Sequence, residues 1–152
     1  MKKSRLTAVL AALVILTAGC GGDKAKEIDA KGLAGSLLSE VTYEDELEEL
    51  SEEMAAMQFD TEDGVKIYLY MGGGATAEEV AVFEAPDEAA AKKQLAHVKD
   101  FVDDQIKTER DYRPEEVKRL EDAVLEQRGK YVILCVSADS DKAREIIEKA
   151  FK

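Results

Sequence analysis

A catalytic nucleophile needs a neighbouring base to activate it, and the chain offers one histidine, His97. His97 falls in a helical stretch on a face with Lys93, Asp100 and Asp104, away from the apolar stripe of Leu95, Val98 and Val102. That is the place of a solvated surface residue. No Gly-x-Ser-x-Gly occurs, so a nucleophile elbow finds no support. One His and one Cys in an apolar strand cannot complete a zinc cluster. The turn Asp60-Thr61-Glu62-Asp63-Gly64 opens like a calcium loop, which needs Gly sixth and Glu twelfth. Here Gly64 is fifth and Met71 twelfth. Gly72-Gly73-Gly74 lies between two strands and lacks the Gly-Lys-Ser/Thr ending of a phosphate loop. Carboxylates are so abundant that no pair stands out as a glycosidase acid and base. The sequence therefore presents no catalytic residue, no metal site and no cofactor site.

The residue with the clearest chemistry is Cys20. Upstream lie Lys2, Lys3 and Arg5, then an uncharged, mostly apolar run from Leu6 to Ala18. Small residues Ala18 and Gly19 directly precede the cysteine. A basic start, a short apolar core and a small-residue cleavage site describe a secretory signal peptide. The run is shorter than the ~20 apolar residues that span a bilayer. Thr17-Ala18-Gly19-Cys20 resembles a bacterial lipobox, with Leu16 one place before the usual leucine position. Cleavage before Cys20 would leave a diacylglyceryl cysteine at the head of the mature chain. One acyl chain binds a membrane only marginally, whereas two chains anchor stably. Residues 1–19 thus read as signal peptide, 20–28 as lipidated cysteine and polar tether, and 29–152 as one domain.

Charge narrows the partners. The whole chain carries −12, and loss of residues 1–19 removes three bases and no acid, leaving −15. Such a chain is a poor match for nucleic acid, whose phosphates call for Lys and Arg. It is also repelled by anionic lipid, so the lipid anchor must hold it. The asymmetry is internal: Asp23–Ala91 has 19 acids and 4 bases, whereas Lys92–Lys152 has 14 of each. Cys135, in the apolar run Tyr131–Val136, reads as a buried small hydrophobe.

The elements that must position these groups follow from periodicity. Asp29 is a candidate N-cap for a helix with Leu33, Leu37 and Val41 on one stripe. Tyr43, Leu47, Leu50, Met54 and Met57 recur at helical spacing, predicting an acidic helix over Thr42–Met57, with Thr42 and Asp45 as a capping box. Val65–Met71 alternates as a strand, and Val80–Glu84 is its partner across the triglycine loop. Asp87 caps a long helix, Pro114 starts a short one, Ala123–Arg128 and Tyr131–Ser137 form a second hairpin, and Asp139 or Ser140 opens the last helix. The expected fold is α+β: a four-stranded antiparallel sheet from two β-hairpin-plus-helix units, with helices packed on the sheet. A shift of 52 residues overlays parts of the two units, consistent with a duplication or with a common packing solution. The second sheet face would carry Tyr68, Tyr70, Ala81 or Phe83, Ile133 and Cys135. It is covered by the acidic helix, or it is a ligand face edged by Tyr68 and Tyr70.

The segments Ala77–Ala85, Tyr112-Arg113-Pro114-Glu115-Glu116 and Gly129-Lys130-Tyr131-Val132 occur in this order around the long helix. Together they resemble a family of bacterial lipoproteins, mostly from Firmicutes, known as domain of unknown function 4358. The resemblance spans roughly Leu37 to Phe151. It implies a lipid-anchored protein on the extracytoplasmic face of the cell membrane and brings no substrate, cofactor or catalytic residue.

The leading expectation is a non-catalytic binding or interaction module at the cell envelope. Glu48, Glu49, Glu52 and Glu53 form its candidate surface for a basic partner. The alternative is a lipoprotein that binds a small ligand on the Tyr68–Tyr70 face. A carboxylate-dependent envelope hydrolase ranks third.

Overall fold

The computed structural model describes residues 26–152. Cys20 and the proposed signal peptide lie outside them. Helix α1, Ala30–Glu40, starts where Asp29 accepts a hydrogen bond from Gly32 N, and buries Leu33, Ala34 and Leu37. The chain then forms β1 (Glu48–Glu49), α2 (Glu52–Gln58) and the hairpin β2 (Lys66–Met71) and β3 (Glu79–Glu84). Long helix α3 (Glu88–Tyr112) is capped by Asp87, which accepts from Ala90 N. Pro114, with no N–H to lose, opens α4 (Pro114–Glu121). Strands β4 (Val124–Arg128) and β5 (Tyr131–Val136) meet at Gly129-Lys130, where Gly129 takes φ 57°. A two-residue hairpin turn with positive φ at its first position favours glycine there. Helix α5 (Ser140–Phe151) follows, capped by Asp139.

The fold is α+β, with five helices and one antiparallel sheet among the described residues. The sheet has five strands in the order β1-β2-β3-β5-β4, where four were expected. The additional strand, β1, comes from the segment predicted as an acidic helix. Leu50 N donates to Leu69 O at 2.9 Å. A helix through Leu50 would need that N–H for the carbonyl of residue 46. The backbone of Glu44 and Asp45 is likewise held by the Glu78 carboxylate. Only Glu52–Gln58 is helical, with Ser51 as N-cap in place of Thr42.

Helices cover both sheet faces. On one, α1 and α5 pack over Tyr70, Val80, Val82, Ile133 and Cys135. On the other, α2 and α3 pack over Ile67, Leu69, Ala81, Phe83 and Leu134. Phe59, at the end of α2, joins Phe83 edge-on at 5.1 Å and meets Phe101 of α3 at 4.4 Å. Ala81 and Phe83 therefore lie opposite the tyrosine face, whose β3 contributions are Val80 and Val82.

This two-sided cover argues against a simple duplication. Antiparallel β3 and β5 can be exchanged by a two-fold axis normal to the sheet, which would leave α3 and α5 on one face. They lie on opposite faces. The 52-residue shift also places Ala81, in the core of one sheet face, on Ile133, in the core of the other. The two units share a hairpin-then-helix order and differ in which face the helix takes.

Candidate functional site

The tyrosine face is largely covered: Tyr68, partly exposed, borders a small surface pocket with Glu49, Glu52 and Lys66, and Tyr70 is buried. Tyr70 is 7% exposed, and α1 lies across β2 and β3 above it, where the sequence suggested the acidic helix. Tyr43 Oη donates to Leu37 O at 3.0 Å and sits 3.5 Å from Cys135 Sγ. Burial pushes both the Tyr43 hydroxyl and the Cys135 thiol up from their ordinary pKa values. Cys135 is a buried free thiol, as its apolar strand predicts.

The four acids singled out in the sequence do not share one helical face. Glu48 and Glu49 are exposed on the edge strand β1, and Glu52 and Glu53 occupy the first turn of α2. There they suit the positive end of the helix dipole. Glu49 accepts from Lys31 Nζ at 2.9 Å. Beside these acids, Met54 and Met57 are 57% and 83% exposed, although helical spacing had assigned both to a buried stripe.

His97 is more engaged than a solvated residue. Its Nε2 lies 3.1 Å from Glu62 Oε1 and its Nδ1 3.4 Å from Asp60 Oδ2. Contact with His97, and then Lys93, holds the Glu62 carboxyl below its usual range. Buried Gln94 fixes the same turn, accepting from Glu62 N and donating to Asp60 O. The Asp60–Gly64 stretch is thus a turn docked on α3. Among the described residues no group of three or more His, Cys, Asp or Glu is arranged to hold a metal ion.

The buried polar groups lie elsewhere, around the entry to β3. Glu78, 2% exposed, accepts from Glu44 N at 2.8 Å, Asp45 N at 2.9 Å and Thr76 Oγ1 at 3.2 Å. Its other oxygen makes no hydrogen bond, with Arg119 Nε 3.8 Å away. Arg119 also reaches Glu116 and Glu44, while Glu116 accepts from Ala77 N at 2.8 Å. These carboxylates hold loops in place. A Cβ at Gly72 would collide with the Asp45 carboxyl, which would have to shift to admit it.

Glu79 is different. It is 1% exposed, and neither carboxyl oxygen has a hydrogen-bond partner among the described residues. Burial raises its pKa to about 8. It lines a cleft of about 330 Å³ between the loop after β2 and α3, with Met71, Ala77 and Phe101 as apolar lining. At that cleft Arg113 pairs with Glu109 through two hydrogen bonds and donates to Gly74 O at 2.6 Å. Gly74 itself takes φ 93°. Sequence reasoning missed Glu79 because it began the strand at Val80. The signal was present: Glu79, Ala81 and Phe83 share one parity, and that parity faces α3.

Two hairpins with helices on both faces and a lined cleft beside the first hairpin define a small α+β domain. The chain belongs to the family described as domain of unknown function DUF4358, whose model matches residues 40–137. Neither the curated proteins nor the solved structures contain a match.

Proposed function

We propose that this chain is a lipid-anchored, extracytoplasmic, non-catalytic binding module that engages a basic envelope component through Glu48, Glu49, Glu52 and Glu53. The observation that carries this reading is the pair of exposed methionines, Met54 and Met57, beside those four exposed acids at a sheet edge. Unbranched, polarisable methionines suit adaptable contact surfaces, and the acids supply a charge preference. The anchor reading rests on the basic, apolar and small-residue run that ends at Cys20. No described helix is long and apolar enough to cross a membrane.

The length of the tether fits this reading. Ile28 is clamped where the fold begins, its N–H donating to Tyr131 Oη and its carbonyl accepting from it, each at 3.1 Å. From Cys20 to Ile28 the chain can extend no more than about 30 Å. The domain would be held close to the bilayer surface.

Gentle cross-linking in a bacterial host, followed by mass spectrometry, tests the reading against two controls. A partner recovered with the unaltered chain should be lost with Cys20→Ser. It should also be weakened, with a flatter salt dependence, when Glu48, Glu49, Glu52 and Glu53 are all changed to Gln. Equal recovery with the four-Gln variant would remove the acidic edge from the account.

A further inference from the structure

We propose that the cleft between the Gly72–Ala77 loop and α3 binds a small organic ammonium ion, with Glu79 as its counter-ion and Met71, Ala77 and Phe101 as its apolar wall. This site adjoins the acidic edge, with which it shares Met71 and Gly72, but it is built on Glu79 and does not depend on lipid attachment.

A buried polar group without a partner is destabilising, and native proteins satisfy nearly all such groups. Glu79 has two orphaned oxygens, and it borders a cavity that has room for a small molecule. Its neighbours Glu78 and Glu109 do not share this state: Glu78 holds two backbone amides and Glu109 is paired with Arg113. An unpartnered carboxyl in a cleft is a recognised mark of a binding position.

Charge selects the ligand. The cleft is lined by Glu78, Glu79, Asp104 and Glu109 against one base, Arg113. Arg113 is already taken by Glu109 and Gly74 O, and Asp104 by Lys107. The uncompensated group is Glu79, so the missing charge is positive. A bare metal ion would need several oxygen ligands, and no such group is assembled here. An ammonium needs one carboxylate and tolerates an apolar stem, which Met71, Ala77 and Phe101 accommodate.

Proton balance follows. With a pKa of about 8, Glu79 is mostly protonated at pH 7. An ammonium displaces that proton to solvent and pairs with the resulting carboxylate. The titratable groups around Glu79 are Glu78 on its own strand entry, Asp104, Glu109 and Arg113 from the α3 side, and Cys135 from β5. Carboxylates ordinarily titrate near pH 4, Arg113 holds Glu109 lower still, and burial raises the Cys135 thiol. With its pKa of about 8, Glu79 changes charge across the range from pH 6 to 8.

The test uses the full chain carrying Cys20→Ser, which avoids detergent. 2-Phenylethylamine, which is an ammonium throughout this range, is titrated and followed by NMR at Met71 and Phe101, beside the uncharged 2-phenylethanol. At pH 8 the amine should bind at least about tenfold more tightly than the alcohol. Its affinity should rise about tenfold per pH unit from pH 6 to about 8 and then level, while the alcohol shows no such rise. Glu79→Gln should remove the preference for the amine. Equal binding of amine and alcohol at pH 8, no saturable shift with the amine there, or a preference that survives Glu79→Gln would each overturn the proposal. If Glu79→Gln fails to fold, the comparison on the otherwise unaltered chain still decides it.

Discussion

Glu79→Gln is expected to make the domain markedly more stable above pH 8 and to change its stability little near pH 5. Glu79 is buried on β3 without a partner, and its folded pKa stands at about 8 against an ordinary 4.5. Below pH 4.5 the group is protonated in both folded and unfolded chains and contributes no pH dependence. Between about 4.5 and 8 the unfolded chain releases the proton and the folded chain keeps it. Folding therefore loses stability as pH rises, by about 1.4 kcal/mol for each pH unit. Above 8 both states are ionised and the loss is complete. Glutamine keeps the shape and has no proton to release, so the variant lacks this slope. The remaining ionisable groups are common to both proteins and cancel in the difference. Chemical unfolding at pH 5, 7 and 8.5 measures it. Parallel curves for the two proteins would mean that Glu79 is not held neutral.

Glu78→Ala is expected to have the opposite sign and a comparable size. Glu78 precedes Glu79 by one residue and does the reverse job, accepting from two backbone amides of the segment before β1 and from Thr76. Its removal leaves Glu44 N and Asp45 N without acceptors and strips a carboxylate from beside Arg119. Breaking one side of a buried, hydrogen-bonded charge arrangement costs about 3–5 kcal/mol. For a domain of this size the fall in Tm is roughly 10 °C or more. Glu78→Gln retains a carbonyl oxygen that can accept both amides and should lose much less. Amide exchange at Glu44 and Asp45 should accelerate in the alanine variant. Unchanged exchange at these two amides would show that Glu78 does not hold the segment.

Adjacent glutamates with opposed roles also mark the limit of the sequence. Local signals held where one residue's chemistry decides the outcome. Asp29, Asp87 and Asp139 each cap the helix they precede, Pro114 opens α4, and the alternation of Ile67 and Leu69 with Tyr68 and Tyr70 separates the two sheet faces. The failure lay between Thr42 and Met57. The 4-3-4-3 spacing there is real, but its residues serve different cores. Tyr43 and Leu47 pack with α1, Leu50 packs with the opposite face, and Met54 and Met57 stay exposed. The deciding contacts, Leu50 N to Leu69 O and the Glu78 carboxylate to Glu44 and Asp45, join residues 19 to 34 apart in sequence. A window of helical length cannot contain them. The same holds for Glu79, whose isolation depends on α3 lying across the sheet.

The central claim, that Cys20 anchors this module to a membrane, is tested most directly by the mass of the mature chain. The protein is produced with its own N-terminus in a lipoprotein-processing bacterium, extracted from membranes and analysed intact and after digestion. The account predicts a chain that begins at Cys20 and carries a diacylglyceryl group on its sulfur, with Cys20→Ser losing both the added mass and the membrane fraction. A chain that begins elsewhere, or an unmodified Cys20, would contradict it.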